Sequence, residues 1–234
     1  MKRTIVACLC LGSLLFISPQ FSSSQEVKTA PQVKQLPPPQ MDGGKPLMQA
    51  LKARQSTRGN FGPEEKLSMQ TLSNLLWAAD GVNRTGGHRT APSAADWQNI
   101  EIFVATADGL FLYDPPQHAL KVISTQDVRA VAGLEGPASG PMKQDFAKTA
   151  PVSLVYVADL SKTKGMKWQG EDVGVAWSMA GIGAIAENVY LFCASENLAC
   201  IVRAMIDPAK IAEVFKLRAD EKPLLTSTIG QFKK

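Results

Sequence analysis

The sequence predicts an α+β fold. Three observations carry this reading. Two short apolar runs flank Asp108-Gly109 as a hairpin would, the β-branched run PVSLVYVAD over residues 151–159 reads as a buried strand, and residues 172–194 form a long apolar helix candidate. Hairpin pairing in the first half, followed by mixed helices and strands, separates this pattern from a regularly alternating parallel sheet. The chain of 234 residues has 45% hydrophobic and 20% charged residues, which excludes wholesale disorder and leaves room for one ordinary domain. No internal repeat is present.

The first element is an address. Lys2 and Arg3 precede an apolar stretch over residues 5–17, and Ser22, Ser23 and Ser24 follow, the order of a secretory signal peptide. A buried N-terminal helix is the competing reading. The stretch is shorter than the roughly 20 residues a stable membrane anchor needs. Cys8 stands near its start, not behind it, which argues against lipidation. Residues 1–24 are therefore expected to be removed and the protein exported, periplasmic or secreted. Cleavage leaves 23 basic against 21 acidic residues, a net charge of +2, with no basic run that would suggest nucleic acid. Only Cys193 and Cys200 then remain. They would lie too far apart for a bridge in one continuous helix; if residues 194–197 end that helix, a disulfide and a pair of buried thiols are both open.

Residues 25–45 (with QLPPPQMDGG) lack apolar periodicity and read as a flexible leader, or as an arm crossing to a partner subunit. The folded domain is expected over 46–234. Leu47, Met48 and Leu51 fit a short helix. Ser68 caps a second, in which Met69, Leu72, Leu75, Leu76 and Ala79 recur at helical spacing until Gly81 stops it. Strands follow at 100–105, 110–113 and 119–123, then 151–159. The long helix carries Gly174, Gly181 and Gly183, which permit close packing. A strand at 200–206 leads to a short helix through Phe215, with Asp207 as cap and Pro208 in its first turn, and a strand at 224–228 closes the chain.

Several chemistries are excluded by what the chain lacks. His88 and His118 have no ligand-spaced partners, so no zinc or two-histidine iron site is expected, and both read as surface residues. GxSxG and Walker patterns are missing. Three clusters remain. Arg54-Gln55-Ser56-Thr57-Arg58 offers two forked guanidiniums and two hydroxyls suited to a phosphate, although surface ion pairing would fit the same run. The stretch GVNRTGGHRTAPSAADWQ, residues 81–98, leads through Pro92-Ser93 into an apparent helix start whose N–H groups suit polar cofactor atoms, with Trp97 as a flat surface or a core residue. The terminal TSTIGQFKK supplies Gly230 and a basic pair, either a further phosphate contact or a frayed end.

Order and spacing say more than any one cluster. RxSxR after the first helix, LSxxxLxxLLWAAxGxNR, RTAPSAxxxQ, a long helix containing ENVYL, and a final TxxIG resemble the nitroreductase family, over about residues 46–233. LLWAADGVNR followed by RTAPSA is most similar to the subgroup near the azoline-oxidising dehydrogenases. The resemblance implies a central, mostly antiparallel sheet flanked by helices, a homodimer, FMN as cofactor, NAD(P)H as candidate donor, and a nitroaromatic, quinone-like or other small conjugated acceptor. It implies that Arg54 and Ser56 contact the flavin phosphate, Arg58 the ribityl chain or pyrimidine edge, and Lys233, after Gly230, completes the phosphate site. Pro92, Ser93, Ala94, Asp96 and Gln98 would lie beside the isoalloxazine of the flavin held mainly by the other subunit. Asp96 stands where the family has Asn, and Glu187, in the helix implied to form the dimer core, where it has Gln. A backbone N–H near Ala204 would face the flavin N5. No side-chain nucleophile is implied, so no catalytic residue is named. A flavin or small-ligand binding protein without catalysis, and a structural dimer on the same scaffold, are the alternatives.

Overall fold

The computed structural model describes residues 32–59, 61–62, 65–133 and 145–233. The signal-peptide reading lies outside these residues. A seven-stranded sheet runs in the order β1-β4-β3-β2-β5-β9-β8, every neighbouring pair antiparallel. Its strands are β1 (Val33–Gln35), β2 (Ile100–Thr106), β3 (Gly109–Asp114), β4 (Ala119–Ser124), β5 (Val152–Asp159), β8 (Ala199–Arg203) and β9 (Glu221–Gly230). A two-stranded ribbon, β6 (Lys167–Trp168) and β7 (Glu171–Asp172), stands apart from it. The helices are α1 (Leu47–Ala53), α2 (Met69–Asp80), α3 (Phe146–Thr149), α4 (Gly174–Ser195) and α5 (Pro208–Phe215).

Strand β5 is buried along its whole length because both faces of the sheet are covered. Alternation divides its side chains between two cores. Leu154 and Tyr156 meet Leu72, Leu75 and Leu76 of α2 and Ile182, Ile185 and Val189 of α4. Val155 and Val157 meet Phe103, Ile211 and Phe215 on the opposite face. Helix α2 begins as its sequence dictates, with Ser68 Oγ accepting from Thr71 N–H at 3.0 Å, a cap that contributes about 1 kcal/mol. It ends at Gly81, where a Cβ would stand 2.4 Å from the Trp77 ring.

Four expectations need correction. The stretch 25–45 is not wholly a leader. Val33–Gln35 pairs with β4, Leu36 is buried, Ser73 Oγ donates to Pro37 O, and Lys45 N–H donates to Ser195 Oγ at 2.7 Å. Backbone hydrogen bonds, to which side-chain periodicity is blind, hold this segment. The strand expected over 200–206 stops at Arg203, because Ile206 N–H folds back onto Ala204 O. No helix starts at Pro92-Ser93: a single 3₁₀ turn, Ala94–Asp96, forms and is broken by Ala95 at φ 48°. His118 is half-buried, its Nε2 2.7 Å from Ser73 Oγ and its Nδ1 3.0 Å from Tyr113 Oη, and burial lowers its pKa. His88 is exposed.

Candidate functional site

Helix α1 delivers residues 54–58 to the edge strand β8. Arg54 caps the helix with extended backbone, and Thr57 N–H then donates to Cys200 O at 2.8 Å. The neighbouring Ser56 Oγ meets Tyr190 Oη at 2.8 Å. Tyr190 Oη also accepts from Val202 N–H at 2.9 Å, so its own hydrogen is available to Ser56. The Arg54 guanidinium lies 5.4 Å over the Tyr190 ring, a cation–π contact.

The C-terminus joins this group through backbone pairing. Phe61 bridges Phe232, and Gly62 N–H donates to Gln231 O at 2.8 Å, so Lys233 follows directly on this bridge. Gly62 is required there, since a Cβ would come within 2.7 Å of Phe232 O. Gly230, at the end of β9, packs under this bridge between Pro151 and Phe61. Arg54, Arg58 and Lys233 have no carboxylate partner among the described residues, and Thr57 Oγ1 is buried without a hydrogen bond. Unpaired cations, a serine hydroxyl and an unsatisfied threonine hydroxyl are the donor set of an anion site, and they fit a phosphate.

The second predicted group gathers elsewhere. Ser93 Oγ accepts from Gln98 N–H at 2.8 Å, and Gln98 Nε2 donates to Asp96 Oδ1 at 3.1 Å. Ala95, Asp96 and Gln98 sit at φ 48°, 52° and 45°, three non-glycine residues in the left-handed region within four positions. Each such residue is disfavoured, and the Ser93 and Gln98 hydrogen bonds hold the segment in place. Trp97 stacks on Trp177 of α4 at 5.6 Å. Ser93, Ala94, Gln98, Trp177 and Gly181 line a narrow cleft of about 10 Å³.

Sequence reading missed the ionic floor of that cleft. Asp80 Oδ2 and Arg89 Nη1 pair at 2.7 Å, with side chains only 9% and 11% exposed. Burial pushes Asp80 up to about 7, against the pull of Arg89. The available sign was that Asp80 falls four residues after Leu76, on the buried side of α2. Tyr190 and Trp177 were missed as well, because each functions through a partner distant in sequence.

Thus Arg54 and Ser56 meet at Tyr190, on the segment that also carries Arg58, and Lys233 follows the Phe61–Phe232 bridge. Pro92, Ser93, Ala94 and Gln98 line the cleft, with Asp96 tied to Gln98, and the two groups meet different stretches of α4. Gly181 and Tyr190 are nine positions apart, about 13 Å along the axis. Ala204 is exposed just beyond β8. Along α4, Val175, Ala176, Met179, Ala180, Gly183 and Glu187 are exposed and leave one side of the helix uncovered in the single chain. Among the described residues, no group of three His, Cys, Asp or Glu could hold a metal ion.

A model of the nitroreductase family matches residues 51–231. A Methanocaldococcus jannaschii protein provisionally assigned as a nitroreductase is 29% identical over 171 residues, covering 70% of this chain and 81% of that one. A crystal structure from Ralstonia eutropha JMP134, also provisionally assigned as a nitroreductase, is 40% identical with a TM-score of 0.75, covering 86% of this chain and 90% of the other. A chain of the E. coli microcin synthetase McbBCD complex shares the fold at 18% identity and a TM-score of 0.61, covering 99% of this chain and 79% of its own.

Proposed function

This chain belongs to the nitroreductase family of oxidoreductases, and on that footing we propose that it is an exported, homodimeric, FMN-dependent reductase of a nitroaromatic, quinone-like or other small conjugated acceptor, with NAD(P)H as the first donor to test. The observation that supports it most is the Ser56–Tyr190 pair, with the Arg54 guanidinium over the Tyr190 ring and the unsatisfied hydroxyl of Thr57 next in sequence, on the segment that also carries Arg58. Bound there by its phosphate, a flavin supplies two-electron chemistry that no side chain offers. The chain's own contribution is position and field. Arg54 and Arg58 neutralise the phosphate, Ser56 orients it through Tyr190, and Asp96 and Gln98 present polar atoms to the ring.

Two halves of one site on different stretches of α4 favour a dimer, in which the uncovered side of that helix packs against a second copy and each ring is shared. The helix is long and apolar enough to cross a membrane, yet Ile182, Ile185, Ala186, Val189 and Cys193 are buried in the core, which favours a core helix over an anchor. Export rests on residues 1–24 alone.

The test is the visible spectrum of the purified protein. A yellow protein bleached by dithionite and recoloured by a quinone supports the reading, and a stable yellow protein that no acceptor reoxidises favours simple flavin binding. A protein that stays colourless with added FMN overturns it. Arg58→Ala should weaken FMN binding about 10- to 100-fold through loss of a charge-assisted contact, read by fluorescence titration.

A further inference from the structure

The last turn of α4 and the start of β8 bring two thiols together. The chain reverses after Cys193, whose carbonyl accepts Leu198 N–H at 2.8 Å, and β8 then runs back beneath α4, with Val202 N–H reaching Tyr190 Oη. This return sets Cys200 against Cys193 on the same side of the sheet. Both are unbridged and buried, 1% and 2% exposed, in the same core cluster beneath α4. Both also line a cavity of about 270 Å³, together with Lys45, Gln55, Asn197 and Phe232.

That pair lies directly behind the phosphate group of residues. The Cys200 carbonyl accepts Thr57 N–H, and Cys193 follows by three positions the Tyr190 that holds Ser56. A bond between the sulfurs would therefore join the two elements that anchor residues 56 and 57. We propose that Cys193 and Cys200 are an oxidisable dithiol whose disulfide staples α4 to β8 and stiffens the phosphate-binding segment. Two S–H bonds break and one S–S bond forms. Two electrons and two protons pass to an oxidant of the organic disulfide class, which leaves as two thiols, or to an azodicarboxamide, which leaves as the hydrazine. The cavity gives a small oxidant a way to both sulfurs. Burial and the neighbouring thiol hold Cys193 above the ordinary thiol range, so the pair rests as thiols until an oxidant enters.

The full chain is treated natively with diamide, quenched, alkylated and digested with trypsin. Peptide 168–203 carries both cysteines and is separate from Cys8 and Cys10. It should be two hydrogens lighter, and dithiothreitol should restore it. The cross-linked protein should melt about 5 °C higher, as expected for a short loop closed in a domain of this size. FMN release should slow at least threefold, and Cys193→Ser or Cys200→Ser should abolish both changes. A peptide that stays alkylated after native treatment but cross-links after denaturation overturns the proposal, as does a cross-linked protein that melts no higher. Should a serine variant not fold, the wild-type chain compared with and without dithiothreitol carries the same test. The release measurement rests on the flavin reading, whereas peptide mass and melting do not. A colourless protein that still cross-links and gains stability upholds the dithiol while the flavin reading falls.

Discussion

Asp96 holds a left-handed conformation, accepts from Gln98 Nε2, and stands 4.0 Å from His88 Nδ1. Beside a bound flavin its carboxylate would oppose the negative charge of the reduced ring and lower the potential. Asp96→Asn should therefore raise the midpoint potential, measured by dye-coupled titration, and an unchanged value removes the role. Asp80 makes a different prediction. Its pKa is raised from the ordinary 3.8 to about 7, so the folded state binds a proton that the unfolded chain has released. Its stabilising contribution is complete below about pH 4 and is lost as pH rises to about 7, with no further change above. Asp80→Asn should flatten that decline in urea melts across the same range. An equal slope in both proteins would sink this account. For Ser56 and Arg58, residue type and spacing allow an anion site or surface ion pairing, and only the family resemblance points to the phosphate. Asp80 and Tyr190 were not legible, because their significance comes from what faces them.

Helix α2 was legible to its ends. Its cap is Ser68, its apolar positions recur at the helical period, and Gly81 stops it because the chain must pass the Trp77 ring. Gly81→Ala should cost about 1–3 kcal/mol through overpacking, read as a lower urea midpoint at unchanged slope. A neutral result would show that Trp77 can swing away. Strand β1 was not legible. Its three residues are all exposed, so no apolar alternation marks them, and pairing with β4 alone makes them a strand. The same limit explains the stretch after Pro92. Pro-Ser followed by small residues reads as a helix start, but three left-handed residues and the Ser93 hydrogen bond close it into one turn.

At the scale of the whole molecule, α4 organises everything. Its buried side is the core of one sheet face, its final turns carry Tyr190 and Cys193, and its exposed side is apolar but for Glu187. Nothing lies within 4 Å of a Cβ built on Gly183, so Gly183→Glu should leave the single chain folded. On the dimer reading it should shift the mass measured by light scattering toward the monomer and lower flavin retention. A dimer of unchanged mass would refute the use of this face. The sequence by itself determined the α+β class and most of the elements, because periodicity and caps are local properties. It also left the two cysteines open. Only the tertiary structure decided that Phe61 bridges Phe232, that Asp80 and Arg89 pair beneath the cleft, and that Cys193 and Cys200 are buried free thiols in one core behind Thr57. Those are juxtapositions across long stretches of chain. They depend on the order of strands in the sheet and the return of β8 beneath α4, which no local pattern encodes.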